Sequence, residues 1–154
     1  MVPHSVAREV APLALVVSAG GVLGAVGRLS LDTAIPRTDL ASWPWATFVI
    51  NISGSFLLGL LLVLLLARFG ESPTTRAGRW ARPFLATGVL GGFTTFSAFS
   101  GQMRDLLSTS SAMALAYAVG SVLCCVLAVA VGSALAHRIV GTAAEPSMSV
   151  LDES

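Results

Sequence analysis

Residues 88–101 read GVLGGFTTFSAFSG and lie within a stretch, 83–103, that contains no Asp, Glu, Lys, Arg or His. The paired glycines, Gly91 and Gly92, are followed closely by paired threonines, Thr94 and Thr95, and all four are poor helix formers. A break here would leave backbone amides and carbonyls at bilayer depth, where protein or a bound ion must satisfy them. The stretch therefore predicts a transmembrane helix broken near its middle, although an unbroken helix with a glycine-rich packing face would also fit.

Three further stretches, 10–27, 40–67 and 106–136, also lack charged residues and histidine. The chain has 154 residues, is 55% hydrophobic and 11% charged, and has a mean hydropathy of +0.82, whereas soluble domains are about 25% charged. A membrane-crossing helix needs roughly 20 apolar residues. We therefore expect an all-α membrane protein with four transmembrane helices, at about 10–31, 45–67, 83–103 and 112–137. They form one domain (10–141) between an N-terminal arm (1–9) and a polar C-terminal tail (142–154).

The charges exclude several classes of protein. A formal net charge of +1 produces no field that would attract a polyanion, so no nucleic-acid partner is expected. No nucleophile–base pair or metal-binding cluster is visible, so the chain is not expected to be an enzyme. Six of the nine arginines fall on the side of the two termini, which favours termini in the cytoplasm and a multi-pass protein of the plasma membrane.

Small and polar residues recur every four positions within the spans. Small residues at this spacing let membrane helices pack closely, and they are found at Gly20 and Gly24, Ser55 and Gly59, and Gly88 and Gly92. Polar side chains follow one face of the second and fourth spans, at Thr47, Asn51 and Ser55 and at Tyr117, Ser121 and Cys125. These polar side chains either hydrogen-bond within and between helices or form an ion path of donors.

Phe96 and Phe99 are three residues apart and project from roughly the same helical face. Simple apolar packing would explain them, but the positive edge of a phenyl ring can also face an anion. The predicted spans thus offer hydroxyl donors, amide donors and ring edges, and they contain no carboxylate. This combination is typical of an anion path rather than a cation path.

Three segments carry a resemblance to a known family: 20–28 (GGVLGAVGR), 48–59 (FVINISGSFLLG) and 91–99 (GGFTTFSAF). With them, the chain resembles the Fluc (CrcB) fluoride channel family over essentially all four predicted spans. The resemblance implies an antiparallel, inverted dimer with two fluoride pores and one central, structural sodium ion (Na+). It also implies a fluoride-selective channel that exports cytoplasmic fluoride passively down its electrochemical gradient and so lowers fluoride toxicity.

The resemblance further implies which residues form these sites. The fluoride pore would be lined by Asn51, Thr95, Phe96, Phe99, Tyr117 and Ser121, and the sodium ion would be held by Gly91 and Thr94. Departures from the family pattern, which could weaken one of the two pores, occur at Ala98, Gln102 and Cys125. Arg28, at the end of the first span, would either add positive potential near a pore mouth or extend its side chain to the membrane interface.

Several alternatives stay open. The second subunit could be another copy or a paralogous, oppositely oriented partner, because the uneven arginine count sits poorly with insertion of one chain in both orientations. A small dual-topology exporter would need a carboxylate within the membrane, which the charge-free stretches lack. A structural subunit of a membrane complex would need neither the broken helix nor the polar faces. Membrane lipid is an expected partner in every case.

Overall fold

The computed structural model describes residues 4–37, 39, 42–71 and 75–143, with 4–9 and 143 described for the backbone alone. Helices and turns account for these residues, with no strand among them, which confirms the all-α prediction. The first helix begins at His4, inside the predicted arm (1–9), and the last ends at Ala143, two residues into the predicted tail (142–154). The rest of that tail lies outside the described residues.

Three long helices correspond to the first, second and fourth predicted spans, namely α1 (His4–Ala34), α2 (Trp45–Phe69) and α5 (Ser111–Ala143). In the described part of the chain, the helices that are long and apolar enough to cross a membrane lie at Val10–Ala34, Trp45–Phe69 and Ser111–Thr142. The third predicted span is divided. Its first half, α3, runs through three consecutive segments, Arg76–Arg82, Pro83–Leu90 and Gly91–Phe93, and its second half is α4 (Phe96–Thr109).

The break between α3 and α4 falls at Thr94 and Thr95, whose backbones are extended (φ −74°, ψ 157° and φ −147°, ψ 117°). It follows a π-helical segment that begins at Pro83, a residue with no N–H to donate. The hydroxyl of Thr95 accepts a hydrogen bond from the amide of Ala98 at 3.1 Å and so caps the start of α4. The predicted break near the middle of the third span is therefore present, one residue after the glycine pair.

α1 and α3 cross with their backbones in close contact. A Cβ atom on Gly24 would collide with the carbonyl oxygen of Val89, and one on Gly88 would lie 2.8 Å from the carbonyl oxygen of Val17. Gly20 and Gly92 were also predicted to pack closely here, and a Cβ atom on either would likewise collide with backbone atoms of the facing helix. The spacing of four is thus confirmed as a packing face, and it fixes α1 against the segment that precedes the break.

α2 and α5 form the other close pair of helices. Gly59 of α2 packs against the carbonyl of Val129 of α5, and the hydroxyl of Ser133 donates to the Gly59 carbonyl oxygen at 3.3 Å. An ion pair of 3.3 Å between Arg37 and Asp105 ties the segment before α2 to α4. The two helix pairs leave a space between them at the broken helix.

The close contact between α1 and α3 predicts that two glycine substitutions in α1 differ strongly in their effect on stability. Gly24→Ala should reduce the free energy of unfolding by about 1–3 kcal/mol or prevent folding, because the added methyl group meets backbone that cannot move aside. Gly21→Ala is the matched control, since no atom lies within 4 Å of its Cβ position. Thermal unfolding of both variants in detergent tests this, and equal stability of the two would contradict the crossing.

Candidate functional site

The space at the broken helix is a groove of about 430 Å³. Its lining brings together seven of the eight predicted site residues: Asn51, Gly91, Thr94, Thr95, Phe96, Phe99 and Ser121. Ser55 and Cys125 of the two polar faces also line it, whereas no carboxylate among the described residues does. Residues far apart in the sequence therefore form one polar strip within an otherwise apolar groove.

Asn51 of α2 is bonded to the break in both directions. Its Nδ2 atom donates to the carbonyl oxygen of Thr95 at 3.1 Å, and its Oδ1 atom accepts from the amide of Thr95 at 2.9 Å. The side chain thus replaces helical hydrogen bonds that the break removes. Of the two readings open from the sequence, interhelical bonding is observed, and the amide retains a second N–H that can face the groove.

Two carbonyls at the break lose their usual helical donors. In a continuous helix, the Gly91 carbonyl would accept from the amide of Thr95 and the Thr94 carbonyl from the amide of Ala98. The first amide donates to Asn51 instead, and the second donates to the Thr95 hydroxyl. The two residues predicted as sodium ligands therefore carry backbone oxygens that are available to a cation.

Neighbouring carbonyls at the end of α3 are already used. The Leu90 carbonyl accepts from the amide and the hydroxyl of Thr94, at 3.0 and 2.9 Å. The Gly92 carbonyl accepts from Nε of Arg28 at 3.3 Å. Arg28 is therefore directed at the broken helix. The carbonyls of Leu90 and Gly92 are therefore occupied, whereas those of Gly91 and Thr94 have lost their helical donors.

Ser121 of α5 supplies a donor with no partner. Its side chain is buried, and its Oγ atom makes no hydrogen bond within the described residues. A buried hydroxyl without a partner is costly unless a ligand or water completes it. The reading of Ser121 as a residue bonded to its own backbone is therefore wrong, and its hydroxyl is free to face the groove.

The aromatic side chains form a row behind and beside the groove. The ring centroids of Phe96 and Phe99 are 5.7 Å apart, and those of Phe99 and Tyr117 are 5.2 Å apart. Phe96 is 79% exposed, so the groove is open on that side of the chain. Tyr117 is fully buried behind Phe99, packs against Trp43, and does not itself line the groove.

Gln102 has a role that the sequence did not reveal. Its Nε2 atom donates to the hydroxyl of Thr47 at 2.8 Å, and its Oε1 atom accepts from the hydroxyl of Tyr117 at 3.0 Å. The polar residues of α2 and α5 are thus linked through α4. The only available signal was the position of Gln102 three residues after Phe99, which places both on one face of α4.

The bonds of Asn51 predict that this residue holds the break together. Asn51→Leu should reduce the free energy of unfolding by about 1–3 kcal/mol for each group of Thr95 left unbonded. Ser53→Ala is a control on the same helix, because the Ser53 hydroxyl donates to the Val49 carbonyl of its own helix at 2.7 Å. Thermal unfolding in detergent measures both. Equal midpoints for the two variants would show that the break is stabilised elsewhere.

Comparison with known proteins places this architecture in a family. A family model described as "CrcB-like protein, Camphor Resistance (CrcB)" matches residues 15–133. The chain is 42% identical over 127 residues to a protein of Rhizobium meliloti named "Fluoride-specific ion channel FluC", covering 82% of this chain and 97% of the relative.

A protein of Nocardia farcinica named "Fluoride-specific ion channel FluC 2" is 41% identical over 130 residues, which cover 84% of this chain and 88% of the relative. One of Mycobacterium tuberculosis, named "Fluoride-specific ion channel FluC 1", is 39% identical over 125 residues, or 80% and 89% of the two chains. The matched region contains α2, the broken helix and the residues that line the groove. The chain therefore belongs to the CrcB-like family.

Proposed function

We propose that the chain is a fluoride-specific ion channel that exports cytoplasmic fluoride passively across the plasma membrane. The observation that carries the proposal is the buried hydroxyl of Ser121, which, among the described residues, has no partner and shares its groove with no carboxylate. The names of the relatives from Rhizobium meliloti and Nocardia farcinica support the choice of fluoride among small anions.

The groove offers fluoride replacements for water. Ser121 would donate its hydroxyl proton, Asn51 its second amide proton, and Phe96 and Phe99 the positive edges of their rings. A donor lining of this kind suits a dehydrated anion.

The lining of the groove favours passive transport over proton-coupled transport. In the part of the chain that the structure describes, no Asp or Glu lines the groove, so fluoride movement would not be tied to proton movement. Hydrogen fluoride is a weak acid that crosses the membrane uncharged and dissociates in the more neutral cytoplasm. The trapped fluoride would then leave down its own electrochemical gradient, which lowers its toxicity.

Sodium is part of the proposal as a structural ion. The backbone oxygens of Gly91 and Thr94 would hold it, since their helical donors are diverted to Asn51 and Thr95. Oxygen ligands at the C-terminal end of a broken helix suit a hard cation. The positive charge would offset the partial negative charge of the carbonyls at the end of α3.

A second, inverted subunit would complete the channel. Phe96 is 79% exposed beside the polar lining, and a pore cannot conduct selectively while one side faces lipid. A second copy would cover this side, and a paralogous partner is the alternative because of the six-to-three distribution of arginines. Either partner would add a second set of pore residues.

Fluoride efflux from liposomes that contain this protein alone tests the channel. We expect fast fluoride loss, followed with a fluoride electrode, and no chloride loss measured in parallel. This result would establish a selective channel built from copies of one chain. If well-folded protein releases neither ion, the self-sufficient channel is excluded and the assay is repeated with an inverted paralogous subunit. Equal loss of both ions would contradict fluoride selectivity.

Ser121→Ala tests the residue on which the proposal depends. Loss of one hydrogen bond to the anion, worth about 1–2 kcal/mol, should slow fluoride efflux by roughly 5- to 30-fold. Folding should be unaffected, because the hydroxyl has no partner within the described residues. Ser53→Ala serves as the control, since Ser53 bonds its own helix. An unchanged efflux rate in Ser121→Ala would remove this serine from the path.

A further inference from the structure

A basic cleft lies at the opposite end of α2 from Trp43, between α2 and the start of α3, and has a volume of about 560 Å³. Arg79 and Arg82 form its polar wall, while Leu62, Pro83 and Ala86 form its apolar wall. It is separate from the groove, although Ala86 borders both. Apart from Ala86, no residue of this cleft lines the groove proposed above as the fluoride path.

Both arginines are held at the cleft by the local structure of α3. They are three residues apart, so they share a helical face. The Thr75 hydroxyl caps this segment by accepting from the amide of Gly78 at 3.1 Å, and Gly78 is buried, which fixes the rotation of the segment. Within the described residues, neither Arg79 nor Arg82 forms an ion pair, and no carboxylate lines the cleft. The cleft is therefore a concentration of unneutralised positive charge.

The apolar wall extends from the arginines into the membrane-spanning part of the chain. Leu62 lies seven residues before the end of α2, or about 10 Å along the helix axis. Leu62 and Thr87 are both exposed, so the cleft opens sideways along the helices as well as toward their ends. A ligand that fits must carry an anionic group for the arginines and an apolar chain for the side opening.

We infer that this cleft binds the headgroup of an anionic phospholipid, with the phosphate on Arg79 and Arg82 and an acyl chain along Leu62 and Ala86. The charge of the cleft favours phosphate over zwitterionic headgroups, and basic pockets between membrane helices are suited to such lipids. Trp80 follows Arg79 in the chain but is outside the cleft lining, and it serves as the reporter of lipid near this end of α2. The inference requires only insertion in a membrane and is independent of fluoride conduction.

Quenching of Trp80 by brominated lipid tests the site on the full-length protein. Vesicles of phosphatidylcholine receive a small, equal fraction of either brominated phosphatidylglycerol or brominated phosphatidylcholine. The fluorescence of Trp80 is obtained as the difference between the fluorescence of the wild-type protein and that of Trp80→Phe. We expect brominated phosphatidylglycerol to quench the Trp80 fluorescence more strongly than brominated phosphatidylcholine does. This preference for phosphatidylglycerol should fall about fivefold for each arginine neutralised in Arg79→Gln and Arg82→Gln. Arg79→Lys with Arg82→Lys should keep the preference and shows that the cleft still folds.

The matched control is Arg68→Gln with Arg138→Gln, which removes the same charge from exposed positions near the C-terminal ends of α2 and α5. It should leave the preference unchanged. Equal quenching by both lipids, or an equal loss of preference in this control, would overturn the site.

Discussion

Backbone groups within a membrane must find hydrogen-bond partners inside the protein, and this constraint governs the whole structure. The broken helix violates the regular pattern at Thr94 and Thr95, and an unbonded group there would cost several kcal/mol. Asn51 meets the requirement from another helix, because its amide bonds both the carbonyl and the amide of Thr95. The Thr95 hydroxyl then caps α4. The break is therefore stable only while α2 lies against it.

The same bonds create the chemistry of the site. Since the amides of Thr95 and Ala98 donate to side chains, the carbonyls of Gly91 and Thr94 lose their helical donors. Across the groove, Ser121 offers a hydroxyl that lacks a partner within the described residues. Oxygens suited to a cation and donors suited to an anion thus lie in one groove, which is the basis for proposing both a structural sodium ion and a fluoride path.

Close packing of small residues determines where the groove lies. The glycines at the α1–α3 crossing allow backbone contact, and Gly59 does the same between α2 and α5. Each pair is tight within itself, so the space between the pairs remains at the break. Phe96 is left exposed at its edge. A second subunit is proposed on this side because a conducting groove needs cover from lipid, whereas the basic cleft of Arg79 and Arg82 faces a different part of the surface.

The sequence by itself determined the all-α membrane class, and it predicted where the spans lie, a break in the third span with an unbroken helix as the alternative, and a polar lining without carboxylates. These features depend on local composition: charge-free stretches, a Gly-Gly pair before a Thr-Thr pair, and polar residues without carboxylates. Only the tertiary structure decided how Asn51 is used, which carbonyls are available, and that Gln102 links Thr47 to Tyr117 behind the groove. Such bonds join different helices, and their geometry is set by how those helices pack, which the spacing along one helix does not specify.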